Sequence, residues 1–256
     1  MKTKFDKIYV ISLITNHDRR KFITYQMNEL GLDFEFIYGI DFKSLTYDGS
    51  NHKIEYPYTY DNNTSNTAGN YGAAIAHYGA IKQAYEFGYN NILVLEDDIC
   101  FIKNKDLIFE CLNNIPDDAD FITYDVRFLD LDNNNNEQLA LADLSKINDC
   151  NCFYNIPNKL NYLFGSMIYG IMNRETMKLY IDSQCKNLNM SDRVIGLWKL
   201  PSVNRYTYSK CICTDQLNIE SNFDVFSFIY ENIYHKIKKL NIDDFYKPTN
   251  FHTLCR

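Results

Sequence analysis

The stretch Ile92–Asp98 places a short apolar run directly before three adjacent carboxylates. The residues Ile92–Leu95 are typical of a strand that is buried on both faces, as in the centre of a parallel sheet. Ligands of open α/β sheets bind at the carboxyl ends of the strands, and Glu96, Asp97 and Asp98 fall at that point. The run therefore predicts an α/β fold with an acidic site at the edge of its sheet.

The acid triplet has two interpretations. Acids are favoured near a helix N-terminus, so the triplet could begin a following helix. Adjacent like charges at the edge of a core are costly unless a cation neutralises them, and Mg²⁺ or Mn²⁺ prefers carboxylate oxygens. Three acids directly after a buried strand favour the metal site.

Glu96 and Asp98 are the candidate metal ligands, because positions two apart share one face of an extended chain. An ion held by two carboxylates keeps coordination sites for a diphosphate. Such a site suits the departure of a phosphorylated leaving group. The pattern alone leaves the reaction class open, since polymerases, phosphatases and sugar-transferring enzymes all use such pairs.

Length and composition limit the alternatives. The 256 residues fit one large domain or a domain with a modest extension. The net charge of −7 argues against nucleic acid as the main partner, because phosphate binding needs basic surface. No segment is apolar for long enough to predict a transmembrane span.

Location and redox state are predicted from the N-terminus and the cysteines. Met1–Leu13 reads as a first strand and not as a signal peptide. The eight scattered cysteines are then most simply reduced thiols of a cytoplasmic protein. Zinc binding by Cys150–Cys152 together with Cys211–Cys213 is the weaker alternative, because both pairs lack the two-residue spacer of structural zinc sites.

The chain opens with a predicted β-α-β unit. Lys7–Leu13 is a strand, Asp18 is the expected N-cap of the following helix, and Gly31 ends that helix. Phe34–Tyr38 alternates as a second strand, which ends at Asp41. The apolar positions of the helix recur with helical spacing: Ile23, Met27 and Leu30.

A second helix and a third strand extend the unit. The helix ends at Gly88 and leads into the strand before the acid triplet. Its predicted buried stripe is Ala74, Tyr78, Ile81 and Tyr85. The β-α-β-α-β order predicts a parallel sheet with right-handed crossovers.

Further elements are predicted downstream. Phe121–Tyr124 and Ser166–Met172 are strands, Asn173 caps a helix that begins at Arg174, and Val225–Leu240 is a C-terminal helix. Polar segments without a regular pattern are predicted as loops: Thr46–Asn70, a candidate mobile loop over the site, and Asn133–Asn136. Acceptor choice is expected to depend on Thr46–Asn70 and on the wider segment Asp130–Lys159.

Several segments together resemble glycosyltransferase family 25, which includes lipooligosaccharide and collagen galactosyltransferases. They occur in the family's order: Ile11–Arg19, Phe36–Asp41, Gly72–His77, Ile92–Asp98, Gly165–Met172 and Ser191–Arg193. The strand ending in Glu-Asp-Asp is the most specific of them. The chain departs from the family pattern at Ser12, where asparagine is usual, and at Ala73 and Ala76, where the family has cysteine and serine.

The resemblance implies a GT-A type, Rossmann-like nucleotide-sugar fold, with a mixed, mainly parallel sheet flanked by helices. It implies a single domain over residues 1–256. Within it we expect a nucleotide-sugar half (1–125), an acceptor half (126–224) and a C-terminal helical extension (225–256). The implied reaction is Mn²⁺- or Mg²⁺-dependent transfer of galactose or glucose from a UDP-sugar to a glycan or hydroxylated protein, with inversion.

The resemblance also implies roles for individual residues. Its donor-binding candidates are Ser12, Arg19, Asp41, His77 and Asp97. Three of them have plain structural alternatives: a solvated helix arginine for Arg19, turn formation for Asp41 and a satisfied core histidine for His77. Asp98 is expected to act in catalysis as a metal ligand. Asp192 is the candidate base that takes the acceptor proton, and Asp215 is the reserve.

Two other functions compete with the transferase. A nucleotide-sugar-binding protein without turnover could serve as a scaffold or sensor, although the intact acid triplet argues against it. A sugar nucleotidyltransferase is disfavoured, because the start of the chain lacks the glycine-rich phosphate-binding loop expected there.

Overall fold

The computed structural model describes residues 2–40, 68–124, 127–128, 153–155, 163–164, 167–186, 202–208, 212–215 and 246. The helices are α1 (His17–Leu30), α2 (Ala68–Phe87), α3 (Lys105–Asn113) and α4 (Arg174–Lys186). The strands are β1 (Lys7–Leu13), β2 (Glu35–Gly39), β3 (Ile92–Glu96), β4 (Ile99–Phe101), β5 (Phe121–Thr123), β6 (Arg127–Phe128), β7 (Phe153–Asn155), β8 (Leu163–Phe164), β9 (Ile168–Ile171), β10 (Arg205–Tyr208) and β11 (Cys213–Asp215).

Seven strands form one mixed sheet in the order β2-β1-β3-β9-β5-β10-β7. β1 pairs in parallel with both β2 and β3, as the β-α-β-α-β order predicts. β9 runs antiparallel to its neighbours β3 and β5, and β10 is parallel to β5. Five strands therefore share one direction, and the predicted mixed, mainly parallel sheet is confirmed. Strands from both predicted halves hydrogen-bond within this sheet; the assignment of donor and acceptor to these halves stays a prediction.

The two faces of the sheet carry separate hydrophobic clusters, because side chains alternate along each strand. In β1, Ile8 and Val10 join the cluster that contains the buried residues of α1 and α3. Tyr9 and Ile11 join the cluster that contains those of α2 and α4. The carboxyl ends of β1 and β3 thus lie between two layers of helices.

Helix α1 begins earlier than its sequence predicts. Its N-cap is Asn16, and the predicted cap Asp18 lies in the first turn. The Asn16 side chain makes no capping hydrogen bond and instead donates to Asp97. A tertiary contact thus replaces the local one on which the prediction relied. The predicted end is confirmed, since Gly31 adopts a left-handed conformation with φ of 67°.

Helix α2 is rotated relative to its predicted buried stripe. Ala74 and Ile81 are buried as expected, but Tyr78 and Tyr85 are only partly buried. The centre of the buried face is formed instead by smaller residues and one histidine: Ala76, His77, Ala80 and Ala84. Small side chains allow the helix to lie close to the sheet, and this brings His77 into the interior.

Other predicted features are confirmed. Gly88 directly follows α2 with φ of 83°. Asn173 caps α4, since its side chain accepts a hydrogen bond of 2.8 Å from the amide of Thr176. The predicted strands near residues 121 and 168 correspond to β5 and β9. The helix predicted over Val225–Leu240, the loop over Asn133–Asn136 and most of Thr46–Asn70 lie outside the described residues, as do the proposed zinc-binding cysteines other than Cys213.

Within the described ranges, no helix combines the length and the apolar character that crossing a membrane requires.

Gly170 in β9 provides a test of the central packing. A Cβ at this position would lie 2.8 Å from Cε1 of the buried Phe5 ring. Gly170→Ala should therefore lower the free energy of unfolding by about 1–3 kcal/mol through overpacking, measured by urea denaturation. The matched control is Gly79→Ala inside α2, where an added Cβ meets nothing within 4 Å. This variant should be unchanged or more stable by up to about 1 kcal/mol. Equal stability of both variants would contradict the packing described here.

Candidate active site

The acid triplet lies at the carboxyl end of β3, in the parallel part of the sheet. Glu96 is the last residue of β3, and Asp97 and Asp98 form the turn into β4. A strand and not a helix follows the turn, so the acids do not begin a helix. β3 contains the predicted buried strand, with Ile92–Leu95 fully buried.

Asp97 is held on the α1 side of the sheet by groups from β1 and α1. Its Oδ2 accepts a 2.6 Å hydrogen bond from Ser12 Oγ and a 3.2 Å bond from Asn16 Nδ2. Its Oδ1 lies 3.4 Å from Nη1 of Arg19. The Asp97 side chain is only 7% exposed. These contacts tie β1, the start of α1 and the β3–β4 turn together.

The interior position of Asp97 changes its ionisation. Burial raises the pKa of the Asp97 carboxyl above its ordinary value, although the Ser12 hydrogen bond and the Arg19 charge act in the opposite direction. Because the pKa of Asp97 is raised in the folded state, its ionisation destabilises the fold. Stability is lost as the pH rises from the ordinary pKa of an aspartate through the folded-state pKa. The polar partners lower the free-energy cost of burying the ionised carboxylate, so an acid at this position depends on them.

Arg19 is shared between two members of the triplet. The same Nη1 that approaches Asp97 also lies 3.3 Å from Oδ2 of Asp98. The Arg19 side chain is 9% exposed, whereas that of Asp98 is 30% exposed. Arg19 is therefore not a solvated helix arginine. It is a buried cation whose guanidinium reaches the rim of the site through Asp98.

Glu96 contacts a different set of partners on the α2 side of the sheet. Its Oε1 lies 3.1 Å from Nε2 of His77, and Nδ1 of His77 lies 2.9 Å from the hydroxyl of Tyr169. His77 is fully buried, as the core-histidine alternative requires, yet one of its ring nitrogens contacts the acid triplet. Burial raises the pKa of Tyr169 well above its ordinary value, so its hydroxyl stays protonated.

Strand alternation explains why neighbouring acids have separate partners. Glu96 belongs to β3 and faces α2, whereas Asp97 faces α1. The extended chain ends at Glu96, so the rule that residues two apart share a face does not extend to Asp98. The turn brings Asp98 to the rim near Arg19.

Gln26 fixes the strand that follows the acids. Its Nε2 donates to the carbonyl of Ile99 at 3.0 Å, and its Oε1 accepts from the amide of Phe101 at 2.7 Å. Gln26 thus hydrogen-bonds to one edge of β4, while β11 pairs with the other edge. Gln26 is fully buried.

Comparison with known proteins identifies the family. A model described as glycosyltransferase family 25 (LPS biosynthesis protein) matches residues 5–191, which is most of the chain. The chain belongs to glycosyltransferase family 25. The match includes all three acids and every partner named for them above.

A distantly similar solved structure is described as a glycosyltransferase involved in the glycosylation of the major capsid of PBCV-1; it is 8% identical and gives a TM-score of 0.45. The match covers 91% of this chain and 98% of that one. No curated protein sequence matches the chain.

The donor set at the rim of this family 25 site suits a hard cation. Glu96 and Asp98 are 27% and 30% exposed at their side chains, and both offer carboxylate oxygens. Across the part of the chain that the structure describes, no group of three or more His, Cys, Asp or Glu side chains could hold a metal by itself. Mg²⁺ is often bound by one or two carboxylates together with substrate phosphates. The two rim acids fit that mode of binding.

The structure does not describe the side chains of three predicted site residues. Asp41 and Asp192 lie outside the described residues, and the family match ends at residue 191. Only the backbone of Asp215 is described; it ends β11 opposite Ile99 of β4. Because Ile99 directly follows Asp98, this pairing brings the reserve base candidate to the edge of the acid site.

Sequence reasoning did not identify Asn16, Gln26 or Tyr169 as site residues. Asn16 directly follows the turn after β1, and this position at the predicted binding edge could have identified it as a site residue. Tyr169 is a polar aromatic residue inside the buried strand Ile168–Ile171, which is a weaker indication of a site residue. Gln26 carries no such signal, because a glutamine on a helix is usually exposed.

Ser12→Ala tests the dependence of the fold on the Asp97 network. Removing the hydroxyl that donates to a buried carboxylate should lower the free energy of unfolding by about 1–3 kcal/mol. The measurement is urea denaturation with a chelator present, so that bound cations do not affect the result. Ser183→Ala is the control, since its hydroxyl donates only to the α4 carbonyl of Tyr180 and its loss should change stability by less than about 0.5 kcal/mol. Equal effects of the two substitutions would count against the network.

Proposed function

We propose that this family 25 glycosyltransferase moves galactose or glucose from a UDP-sugar to a hydroxyl of a glycan or hydroxylated protein, with inversion and with Mn²⁺ or Mg²⁺ as cofactor. The observation that carries the proposal is the arrangement of the triplet. The middle acid is buried in a network with β1 and α1, while Glu96 and Asp98 lie partly exposed at the carboxyl edge of parallel strands.

Glu96 and Asp98 would hold the cation. When bound, the ion supplies positive charge that stabilises the UDP diphosphate as a leaving group. Arg19 would add charge-assisted hydrogen bonds to the same diphosphate, since its guanidinium already reaches Asp98 at the rim. Asp97 would act mainly by holding Arg19 and the turn in place, and Ser12 would act through Asp97.

Inversion requires a base on the face of the sugar opposite the leaving group. Asp192 is the proposed base, and it would accept the proton of the acceptor hydroxyl. Asp215 remains the reserve, supported by the pairing of β11 with β4 next to Asp98. Asp41 would accept hydrogen bonds from the ribose hydroxyls of the donor.

Cation-dependent release of UDP tests the proposal directly. We expect the chain to release UDP from UDP-galactose or UDP-glucose when Mn²⁺ or Mg²⁺ is present, and to stop when EDTA is added. Asp98→Asn should lower this rate by about 100- to 1,000-fold, because one group that stabilises the developing charge is lost. Release is measured by a coupled UDP assay, and circular dichroism checks the fold.

Asp182→Asn is the matched control for that experiment, because Asp182 is an exposed acid on α4 paired with Lys178. It should retain full activity. Near-normal release by Asp98→Asn, or release that EDTA leaves unchanged, would refute the metal site. Binding of UDP-sugar without release, for any donor and acceptor, would favour the non-catalytic alternative.

Substitution of the two base candidates separates proton transfer from donor binding. Asp192→Asn should lower kcat by about 100- to 10,000-fold while the Kd for UDP with Mn²⁺ stays unchanged. The Kd is measured by isothermal titration calorimetry. Asp215→Asn should have the smaller effect on kcat. The reverse order would reassign the base to Asp215.

A further inference from the structure

A buried chain of polar groups connects β9 to the acid triplet. The Tyr169 hydroxyl contacts Nδ1 of His77, and Nε2 of His77 contacts Oε1 of Glu96. Tyr169 and His77 are both buried, so this chain reaches the site from the interior of the protein. It enters on the α2 face, opposite the Asp97 network.

The chemistry of the three groups fixes the direction of these hydrogen bonds. An ionised carboxylate only accepts, so Nε2 of His77 must carry a proton and donate to Glu96. In the neutral ring Nδ1 is then an acceptor, and the Tyr169 hydroxyl donates to it.

Tyr169 is held rigidly at the origin of this chain. It lies in β9 opposite Val94 of β3, and its ring stacks on Phe121 with a centroid separation of 5.6 Å. The amide of Glu96 donates to the carbonyl of Met167 in the same segment. The segment 167–169 thus contacts Glu96 twice, at its backbone amide through Met167 and at its carboxylate through Tyr169 and His77.

We propose that Tyr169, acting through His77, is a positioning residue that orients the Glu96 carboxylate for binding of the cation and the donor diphosphate. This inference rests on the proposed function, because Glu96 is a metal ligand only there. Partners in a second layer commonly orient metal ligands in this way. One oxygen of Glu96 contacts Nε2 of His77, and the Glu96 side chain is 27% exposed at the rim.

Tyr169→Phe is the direct test, because it keeps the stacked ring and removes only the hydroxyl. We expect the Kd for Mn²⁺ with UDP, measured by calorimetry, to rise about 10- to 100-fold. The control is Tyr124→Phe, which removes the hydroxyl of another buried tyrosine that contacts the Cys111 carbonyl in the opposite cluster. The Kd of the Tyr124→Phe variant for Mn²⁺ with UDP should equal that of the unsubstituted chain. Equal affinities of the two variants would overturn the inference.

A double-mutant cycle distinguishes positioning from a general structural effect. In a Glu96→Gln background, Tyr169→Phe should cause no further loss of affinity, since its effect passes through the Glu96 carboxylate. An undiminished loss in that background would refute the inference.

Substitutions of His77 keep the inference testable if Tyr169→Phe fails to fold, as judged by circular dichroism. His77→Leu should weaken binding of Mn²⁺ with UDP, whereas His77→Gln, which retains an N–H donor, should recover part of the affinity. Equal Kd values for the two variants would contradict the inference. Failure of the unsubstituted chain to bind Mn²⁺ with UDP would overturn the proposed function as well.

Discussion

The burial of the Asp97 carboxylate is the constraint on which the site depends. A carboxylate in a protein interior is costly unless charged and hydrogen-bonded partners surround it. Here they come from Ser12 at the end of β1, Asn16 at the cap of α1 and Arg19 inside α1. Meeting this requirement fixes the relative positions of β1, α1 and the β3–β4 turn. The two flanking acids are placed as a consequence.

Three consecutive acids can serve different purposes because of the geometry of a strand end. Alternation sends Glu96 and Asp97 to opposite faces of the sheet, where separate layers of helices supply separate partners. Among the three acids, Asp97 is the most deeply buried, and burial raises the pKa of its carboxyl. A single buried acid thus ties the surrounding elements together, and its two neighbours remain partly exposed at the rim.

The sequence predicts what depends on local patterns and misses what depends on tertiary contacts. The bounds of β1, the glycine that ends α1 and the buried strand before the acids all follow from periodicity and turn chemistry. The N-cap of α1 does not, because the Asn16 side chain is used by Asp97. The face of α2 is also missed: its bulky tyrosines suggest a buried stripe, yet packing selects the small alanines beside His77. Tyr169 carries only a weak sequence signal, because its contact with His77 depends on the placement of β9 beside β3.

Helix α1 positions the rim of the site by two independent contacts. Arg19 approaches Asp98 directly, and Gln26, about two turns later on the same face, binds the backbone of β4 immediately beyond the acids. The other edge of β4 pairs with β11, which lies beyond the family match. Two elements that are far apart in the sequence, α1 and β11, therefore hold β4 and with it the turn that carries Asp97 and Asp98. A change in either element should reach the rim acids through β4, because the two-residue turn lies directly between β3 and β4.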